Sequence, residues 1–423
     1  MTVSTAPKQN SITTHLGNGL KVIAIENPAA DIVSARIFLP VGQGNETPDK
    51  AGIFSLMTAL FTRGTAHRNS LEIAEAVEYV GASLGADSAS DYSLISVKTV
   101  SADFENIFTL ATEILREPSF PKHEIELERK LTIQGLRSMQ EQPFSVAYKA
   151  FREGMYGAHP YGFSSMGTEE TVMSIQREDL LDAHHKHFRP DNMVVVIVGR
   201  IDPEKAVALV DKLLGDWTAP DYPAPTPYLP KINSHAYRIV TPQETNQAFV
   251  IVGYLAACVK HPDFAALKLL STHLGNGLSS RLFVELREKQ GLAYDVSAFY
   301  PTRLGPSQFV TYIGTAPENV SVALDGLQSE LRRLCEIPLT DHELQVAKNK
   351  MLGQYALGKQ TNGQIAQLLG WYEILGLGTE FDQKFQADVE AVTIEQAQAA
   401  AKRCFIDSYI SILGPATAVE ALH

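Results

Sequence analysis

A proline-dense segment divides the 423-residue chain into two parts of similar length. Between Trp217 and Ile232 the sequence reads TAPDYPAPTPYLPK and contains five prolines. Proline fixes φ and lacks a backbone N–H, so this segment can form neither a helix nor a central strand. We therefore predict an N-terminal domain over residues 1–217, an extended linker over 218–232 and a C-terminal domain over 233–423.

The two parts show the same order of predicted elements. In the first part the patterns predict a strand over 33–39, helices over 50–63 and 71–80, a strand over 93–100 and a helix over 103–115. Asn69 is the predicted N-cap of the second of these helices, with Glu72 three residues further on. In the second part they predict a strand over 248–254, helices over 263–274 and 280–289, a strand over 309–314 and a helix over 318–334. This order indicates an internal duplication with a period of about 220 residues. The prediction is an α+β fold of two homologous domains, each a mostly antiparallel sheet with helices packed on one face.

Composition narrows the possible functions. The formal net charge of −12 argues against non-specific nucleic-acid binding and against a polybasic membrane surface. The three cysteines include no C-x-x-C pair, which argues against a disulfide framework and a thiolate metal site. No apolar run reaches the roughly 18 residues of a membrane span, and residues 1–10 lack the apolar core of a signal peptide. We therefore expect a cytoplasmic protein with neither a nucleic-acid nor a membrane partner.

Short motifs along most of the chain resemble those of the pitrilysin and mitochondrial-processing-peptidase family of zinc peptidases. They include Leu16-Gly17-Asn18-Gly19-Leu20, Phe61-Thr62-Arg63-Gly64-Thr65, His159-Pro160-Tyr161-Gly162, Arg189-Pro190-Asp191-Asn192-Met193 and Ser280-Arg281-Leu282-Phe283. No single motif is decisive, and their order and spacing together carry the resemblance. It implies a processing-peptidase-like fold built from two homologous domains.

The resemblance also implies that the metal site of the family is missing. Active members carry H-x-x-E-H on a helix, where two histidines one turn apart bind zinc and the glutamate activates the bound water. The histidine positions fall on Ser55 and Ala59 here, and the glutamate position falls on Thr58. The third ligand position falls on Gln134 or Gly135. We therefore expect this chain to bind no metal and no other cofactor.

One dense histidine cluster lies elsewhere in the chain. It consists of His184, His185 and His187, and no Glu or Cys completes a ligand set beside it. We expect these histidines to lie at a solvated helix end and to bind no metal.

The second part keeps a pair of residues that resembles the family's Arg and Tyr of the C-terminal domain. Arg287 and Tyr294 are seven residues apart, as in that pair. In related enzymes these side chains bind the substrate carbonyl and help to stabilise the tetrahedral intermediate, a role that suits a permanent cation and a phenol donor. We expect Gly275 and Gly277 to form a flexible hinge near the same cavity.

The resemblance as a whole implies a non-catalytic, substrate-binding subunit of a heterodimeric zinc metallopeptidase. The predicted partner is a homologous subunit that holds the zinc, and this chain would contribute Arg287 and Tyr294 to peptide hydrolysis there. We expect no activity from the chain alone. Two alternatives stay open: a structural scaffold, and a homodimer that binds peptides without cleaving them.

Overall fold

The computed structural model describes residues 10–419, and its packing divides them into two compact units. The first unit comprises residues 10–133, 165–228 and 357–381, and the second comprises 134–164, 229–356 and 382–419. Each unit thus takes segments from both sides of the proline-dense segment, while the predicted domain boundaries follow the linear order and stay a prediction. The expectation about a signal peptide rests on residues 1–10, of which 1–9 lie outside the described part of the chain.

Eleven strands in the described part of the chain form two separate sheets. The strands are β1 (Ser11–His15), β2 (Lys21–Glu26), β3 (Val33–Leu39), β4 (Ser83–Ser88), β5 (Ser93–Thr99), β6 (Val194–Gly199), β7 (Tyr237–Pro242), β8 (Ala248–Ala256), β9 (Ala293–Phe299), β10 (Ser307–Thr315) and β11 (Ser408–Gly414). The first six form one sheet in the order β1-β2-β6-β3-β5-β4, and the other five form a second sheet in the order β7-β11-β8-β10-β9. Only the β2–β6 and β7–β11 pairs are parallel within these two sheets.

Helices make up most of the remaining regular structure. The helices are α1 (Ile53–Leu60), α2 (Ser70–Tyr79), α3 (Phe104–Arg116), α4 (Lys122–Gln140), α5 (Pro143–Tyr156), α6 (Glu169–Ser174), α7 (Arg177–His187), α8 (Pro203–Leu214), α9 (Phe264–Gly275), α10 (Val320–Glu336), α11 (Asp341–Leu357), α12 (Asn362–Ile374), α13 (Phe381–Ala391), α14 (Ile394–Cys404) and α15 (Ala416–Val419). A short π-helical turn, Phe283–Glu288, follows α9.

Helices cover both faces of the first unit's sheet. On β3, the side chains of Ala35 and Ile37 join the main core beside α1, α3 and α8. Phe38, which points to the opposite face, joins a second cluster with Ala366 of α12. Successive side chains of a strand point to opposite faces, so β3 belongs to two cores at once.

The second unit has the same three layers. Helix α5 packs on β8 and β11, where Phe151 lies in a cluster with Ile251 and Tyr409. Helix α14 packs against both α9 and α10, and all three helices pack against strands of the same sheet. Each sheet thus carries one helix that comes from the other half of the sequence, α12 in the first unit and α5 in the second.

The α+β fold class with mostly antiparallel sheets is confirmed by the two sheets and their helices. The predicted start of the second helix is also confirmed, because Asn69 caps α2 and Glu72 closes the capping box. The sequence did not predict the helix on the second face of each sheet. The predicted helix over 50–63 is shorter in the structure, with α1 flanked by two 3₁₀ turns.

Candidate functional site

Helix α1 carries Ser55, Thr58 and Ala59, the positions at which the resemblance predicts a degenerate metal site. It begins after Gly52, whose φ of +91° and close approach to the Met166 carbonyl leave no room for a side chain. The carboxylate of Glu46 accepts hydrogen bonds from the backbone N–H groups of Gly52 (3.1 Å) and Phe54 (3.3 Å). These contacts satisfy N–H groups at the start of the helix, which have no partner within the helix itself.

The three degenerate positions of α1 offer no ligand set for zinc. Ser55 and Ala59 are half-buried and lie one turn apart on the same face of the helix. Thr58 is only 3% exposed, and its hydroxyl donates to the carbonyl oxygens of Phe54 (2.9 Å) and Ser55 (3.1 Å). Since Ala59 has no donor atom and Thr58 is engaged within the helix, these residues do not fit a zinc ion.

Helix α4 carries the predicted position of the third ligand. Gln134 is exposed and Gly135 is half-buried, and neither supplies a carboxylate. Earlier in the same helix, the buried Glu128 accepts a hydrogen bond from Arg63 Nε at 2.8 Å. Over residues 10–419, no group of three or more His, Cys, Asp or Glu side chains is placed to hold a metal ion.

The expectation of a solvated histidine cluster was wrong for two of its three members. His184 and His187 are buried on α7, whereas His185 is exposed. His187 lies edge-on to Phe54 with ring centroids 5.2 Å apart, and His184 Nε2 lies 2.7 Å from the carbonyl oxygen of Leu115. Burial lowers the pKa of each of these two histidines to about 4. Their neutral rings are therefore part of the core.

Arg287 and Tyr294 are both exposed in the second unit. Arg287 lies on the π-helical turn, and its guanidinium stacks over the ring of Phe283 at 4.9 Å. Tyr294 is 64% exposed on β9, which forms an edge of the second sheet. Neither side chain forms an ion pair or a side-chain hydrogen bond among the residues that the structure describes. Each is therefore available to a ligand or to another chain.

The two candidate hinge glycines have different surroundings. Gly275 ends α9, and a Cβ there would lie 1.8 Å from the backbone nitrogen of Ala298 on β9. The residue thus allows α9 to approach the strand closely, and its carbonyl accepts a hydrogen bond from Ser297 Oγ at 2.8 Å. Gly277 is exposed and has a φ of +78°, which favours glycine. The hinge role of these residues stays a prediction.

Strand β4 has an open edge beside α1. In the six-stranded sheet it pairs with β5 on one side and with no described strand on the other. Helix α1 packs against it, so the degenerate positions and the open edge belong to the same region of the first unit. An open edge presents unpaired backbone N–H and C=O groups, which an extended peptide can bind.

The first unit thus offers no ligand set for zinc at the predicted positions of α1, a feature of a non-catalytic, peptidase-like chain. Two family models match it: "Insulinase (Peptidase family M16)" over residues 21–169 and "Peptidase M16 inactive domain" over residues 174–351. Together these two models span most of the chain. The chain belongs to the M16 peptidase family.

Relatives and solved structures agree with this assignment. An uncharacterized zinc protease of Bacillus subtilis is 24% identical over 400 residues, covering 94% of this chain and 97% of the relative. One of Streptomyces coelicolor is 26% identical, covering 95% and 89% of the two chains. A crystal structure described as a peptidase M16 inactive domain from Pseudomonas fluorescens has a TM-score of 0.88 at 24% identity, covering 96% and 98%. A protease from Helicobacter pylori has a TM-score of 0.90 at 23% identity, covering 96% and 100%. The two solved structures share the fold.

No helix within residues 10–419 is long and apolar enough to cross a membrane.

Proposed function

We propose that this chain is a non-catalytic, peptide-binding subunit that works with a homologous, zinc-bearing M16 subunit. One observation carries the proposal: the chain exposes Arg287 and Tyr294, although its own α1 has no residue that could hold zinc. Apart from the stacking of Arg287 on Phe283, the pair forms no ion pair and no side-chain hydrogen bond among the described residues. It would serve a zinc site that another subunit supplies.

The chemistry of the pair suits peptide hydrolysis. When water attacks a peptide carbonyl, negative charge develops on the carbonyl oxygen, and donors placed at that oxygen stabilise the transition state. Arg287 offers a permanent cation with several N–H donors, and Tyr294 offers a phenol donor. In this proposal the partner supplies the zinc and its activated water, and this chain supplies donors to the oxyanion.

The open edge of β4 supports the peptide-binding part of the proposal. A peptide that adds to this edge would form main-chain hydrogen bonds and would lie beside α1. Main-chain pairing is tolerant of sequence, which suits a protein that accepts varied peptides. Cleavage preference would then depend on side-chain contacts in the complete assembly.

The test is hydrolysis of a fluorogenic peptide in the presence of zinc by three samples. They are this chain alone, an H-x-x-E-H-bearing homologue from the same organism alone, and an equimolar mixture. We expect activity in the mixture alone. Arg287→Ala or Tyr294→Phe should each lower kcat by about 100-fold, the usual cost of losing one oxyanion donor.

Two matched variants control for surface effects. Arg332→Ala removes another exposed arginine of the second unit, and Tyr79→Phe removes the hydroxyl of a tyrosine that is 92% exposed in the first unit. Both should leave the activity of the mixture unchanged. All four variants should keep the stability of the chain within about 0.5 kcal/mol, because exposed substitutions rarely cost more.

The outcome separates the proposal from its two alternatives. A mixture no more active than the homologue alone contradicts the role in trans. Peptide binding by this chain alone, measured by fluorescence anisotropy, would then favour the peptide-binding homodimer. Absence of both hydrolysis and peptide binding would favour the scaffold.

A further inference from the structure

A cavity of about 790 Å³ opens in the first unit between the sheet and the start of α12. Its walls come from the loop between β2 and β3, from β3 and β5, and from residues 358–371. This volume lies within the range of small-molecule sites in proteins, which is about 300–1,000 Å³. The cavity is on the sheet face opposite the main core that contains α1, so it is separate from the degenerate peptidase centre.

Two cationic side chains line the cavity. Arg36 and Ser34 lie on the same face of β3, and Lys98 of β5 is paired with Ser34 in the antiparallel register. Arg36 and Lys98 are therefore diagonal neighbours on one sheet face. The described lining residues include no aspartate or glutamate, and the other polar ones are amides and hydroxyls. The cavity thus has a positive electrostatic character.

The guanidinium of Arg36 is only partly satisfied by the protein. Its Nη1 donates to the carbonyl oxygens of Ala35 (2.9 Å) and Val97 (3.2 Å). A guanidinium carries five N–H donors, and those on Nε and Nη2 have no protein acceptor in the described part of the chain. Burial lowers the pKa of Arg36, and the charge of Asp87 offsets this only in part. No carboxylate of residues 10–419 forms an ion pair with Arg36.

The position of Arg36 beside α12 increases the need for an anion. A Cβ on Gly363, in the first turn of α12, would lie 2.9 Å from Arg36 Nη2. The start of a helix carries partial positive charge, so a cation there is unfavourable unless an anion lies between them. Near the other end of α12, Lys21 forms a 2.6 Å ion pair with Glu373 of that helix. This cation therefore has an anionic partner in the protein, whereas Arg36 has none among the described residues.

We propose that this cavity binds a small organic acid. Its carboxylate would accept hydrogen bonds from the unused N–H groups of Arg36 and would be close to Lys98. Its apolar body would lie against Tyr92 and Trp371, two aromatic side chains that line the same cavity. The proposal is independent of the role in peptide hydrolysis.

The test uses benzoate as the probe, with benzamide as its uncharged counterpart and inorganic phosphate as an anion without an apolar body. Titration calorimetry on the full chain gives each Kd. Trp371 fluorescence in a Trp217→Phe background reports binding at the cavity itself, since these are the two tryptophans of the chain. We expect benzoate to bind and to change Trp371 emission, and benzamide to bind at least about tenfold more weakly.

Three variants locate the site. Arg36→Gln should raise the Kd of benzoate by about tenfold, the usual effect of losing a charged hydrogen-bond donor. Lys98→Gln is an exposed change that keeps the fold, and it should raise the Kd by about threefold. Lys205→Gln, an exposed lysine of the first unit away from the cavity, should leave the Kd unchanged.

Several results would overturn the proposal. The first is that benzoate and benzamide bind with equal Kd. The second is that neither Arg36→Gln nor Lys98→Gln changes the Kd of benzoate. The third is that benzoate does not bind at all. Binding of phosphate without benzoate would overturn the assignment to an organic acid. The circular dichroism spectrum of Arg36→Gln should match that of the unmodified chain, so that weaker binding by this variant is not due to unfolding.

Discussion

The first unit should lose stability as the pH falls from 6.5 to 4.5, because two histidines are buried in its core. The pKa of His184 and of His187 is lowered from 6.5 to about 4 by burial. Between these pH values the unfolded chain binds a proton at each histidine and the folded chain does not. Stability therefore rises with pH in this window, by about 1.4 kcal/mol per pH unit for each histidine.

A buried carboxyl group of the same unit acts in the opposite direction. Burial raises the pKa of Glu46 from 4.5 to about 7, although Gly52 and Phe54 donate hydrogen bonds to it. Between pH 4.5 and 7 the folded chain holds a proton at Glu46 that the unfolded chain has lost. This group alone makes stability fall as the pH rises, by about 1.4 kcal/mol per pH unit.

The net effect follows from the two histidines and the one glutamate. The two histidines make the unfolding free energy rise with pH, and Glu46 makes it fall. Because each group contributes about 1.4 kcal/mol per pH unit, the net slope of unfolding free energy against pH is about 1.4 kcal/mol per pH unit. Because each group titrates only partly near its pKa, we expect the first unit to lose about 2 kcal/mol of unfolding free energy between pH 6.5 and pH 4.5. The lowered pKa of Asp179 acts below this window, because an aspartate ordinarily titrates near 3.8.

Two substitutions change the slope in opposite directions. His187 has no hydrogen-bond partner among the described residues and contacts Phe54 edge-on, so His187→Phe replaces it with a ring of similar shape. This variant should bring the slope close to zero. Glu46→Gln should raise it to about 3 kcal/mol per pH unit, since the opposing titration is removed. The slope is informative even where a variant changes the absolute stability.

Urea unfolding followed by tryptophan fluorescence is the appropriate assay. Both tryptophans of the chain, Trp217 and Trp371, belong to the first unit, so their emission reports that unit without the second. Unfolding curves at half-unit pH intervals from 4.5 to 6.5 give the slope for each protein. An unchanged slope in His187→Phe, or a smaller slope in Glu46→Gln, would refute the reasoning.

Three further predictions concern single residues. Gly370→Ala should destabilise the first unit by about 1–2 kcal/mol in the same urea assay, because the added Cβ would lie 2.2 Å from the buried Phe38 ring. The cost of this clash should exceed the gain in helix propensity. A more stable variant would contradict this prediction. Asn69→Ala should cost about 1 kcal/mol in that assay, since it removes the cap of α2, whereas Asn69→Ser should cost far less. Burial lowers the pKa of Lys268 to about 8, so the charged form is disfavoured in the fold and stability gains from its deprotonation as the pH rises from 8 to 10.5. Lys268→Met should lack this gain when circular dichroism follows urea unfolding, and parallel curves for the two proteins would refute it.

Local sequence patterns predicted individual elements well because their causes are local. Asn69 and Glu72 lie three residues apart, and this spacing alone is enough to begin α2. The alternation of β3 likewise predicted a strand. Arg36 and Ser34 make one face of β3 polar, but they do not indicate which element covers that face. The covering element is α12, which is distant in the sequence.

The exchange of α5 and α12 between the two units could not be read from local patterns. A helix that packs on a sheet shows the same periodicity whichever sheet it joins. One signal for the buried histidines was present, however. Leu180, His184 and His187 follow one another at spacings of four and three, which places them on one face of α7 with a core leucine. The shared face with Leu180 predicts burial of His184 and His187. The polarity of the three neighbouring histidines had instead indicated a solvated helix end.

The packing of α1 does not depend on its three predicted metal-site positions. Phe54, Leu56, Met57 and Leu60 anchor the helix in the main core of the first unit, and Glu46 satisfies its first N–H groups. These interactions owe nothing to a metal ion, so the stability of the helix does not depend on one. We therefore expect substitutions of the half-buried Ser55 and Ala59 to cost less stability than substitutions of these core residues. A chain whose α1 offers no zinc ligand can contribute to peptide hydrolysis only through residues that lie elsewhere, which is the role proposed for Arg287 and Tyr294.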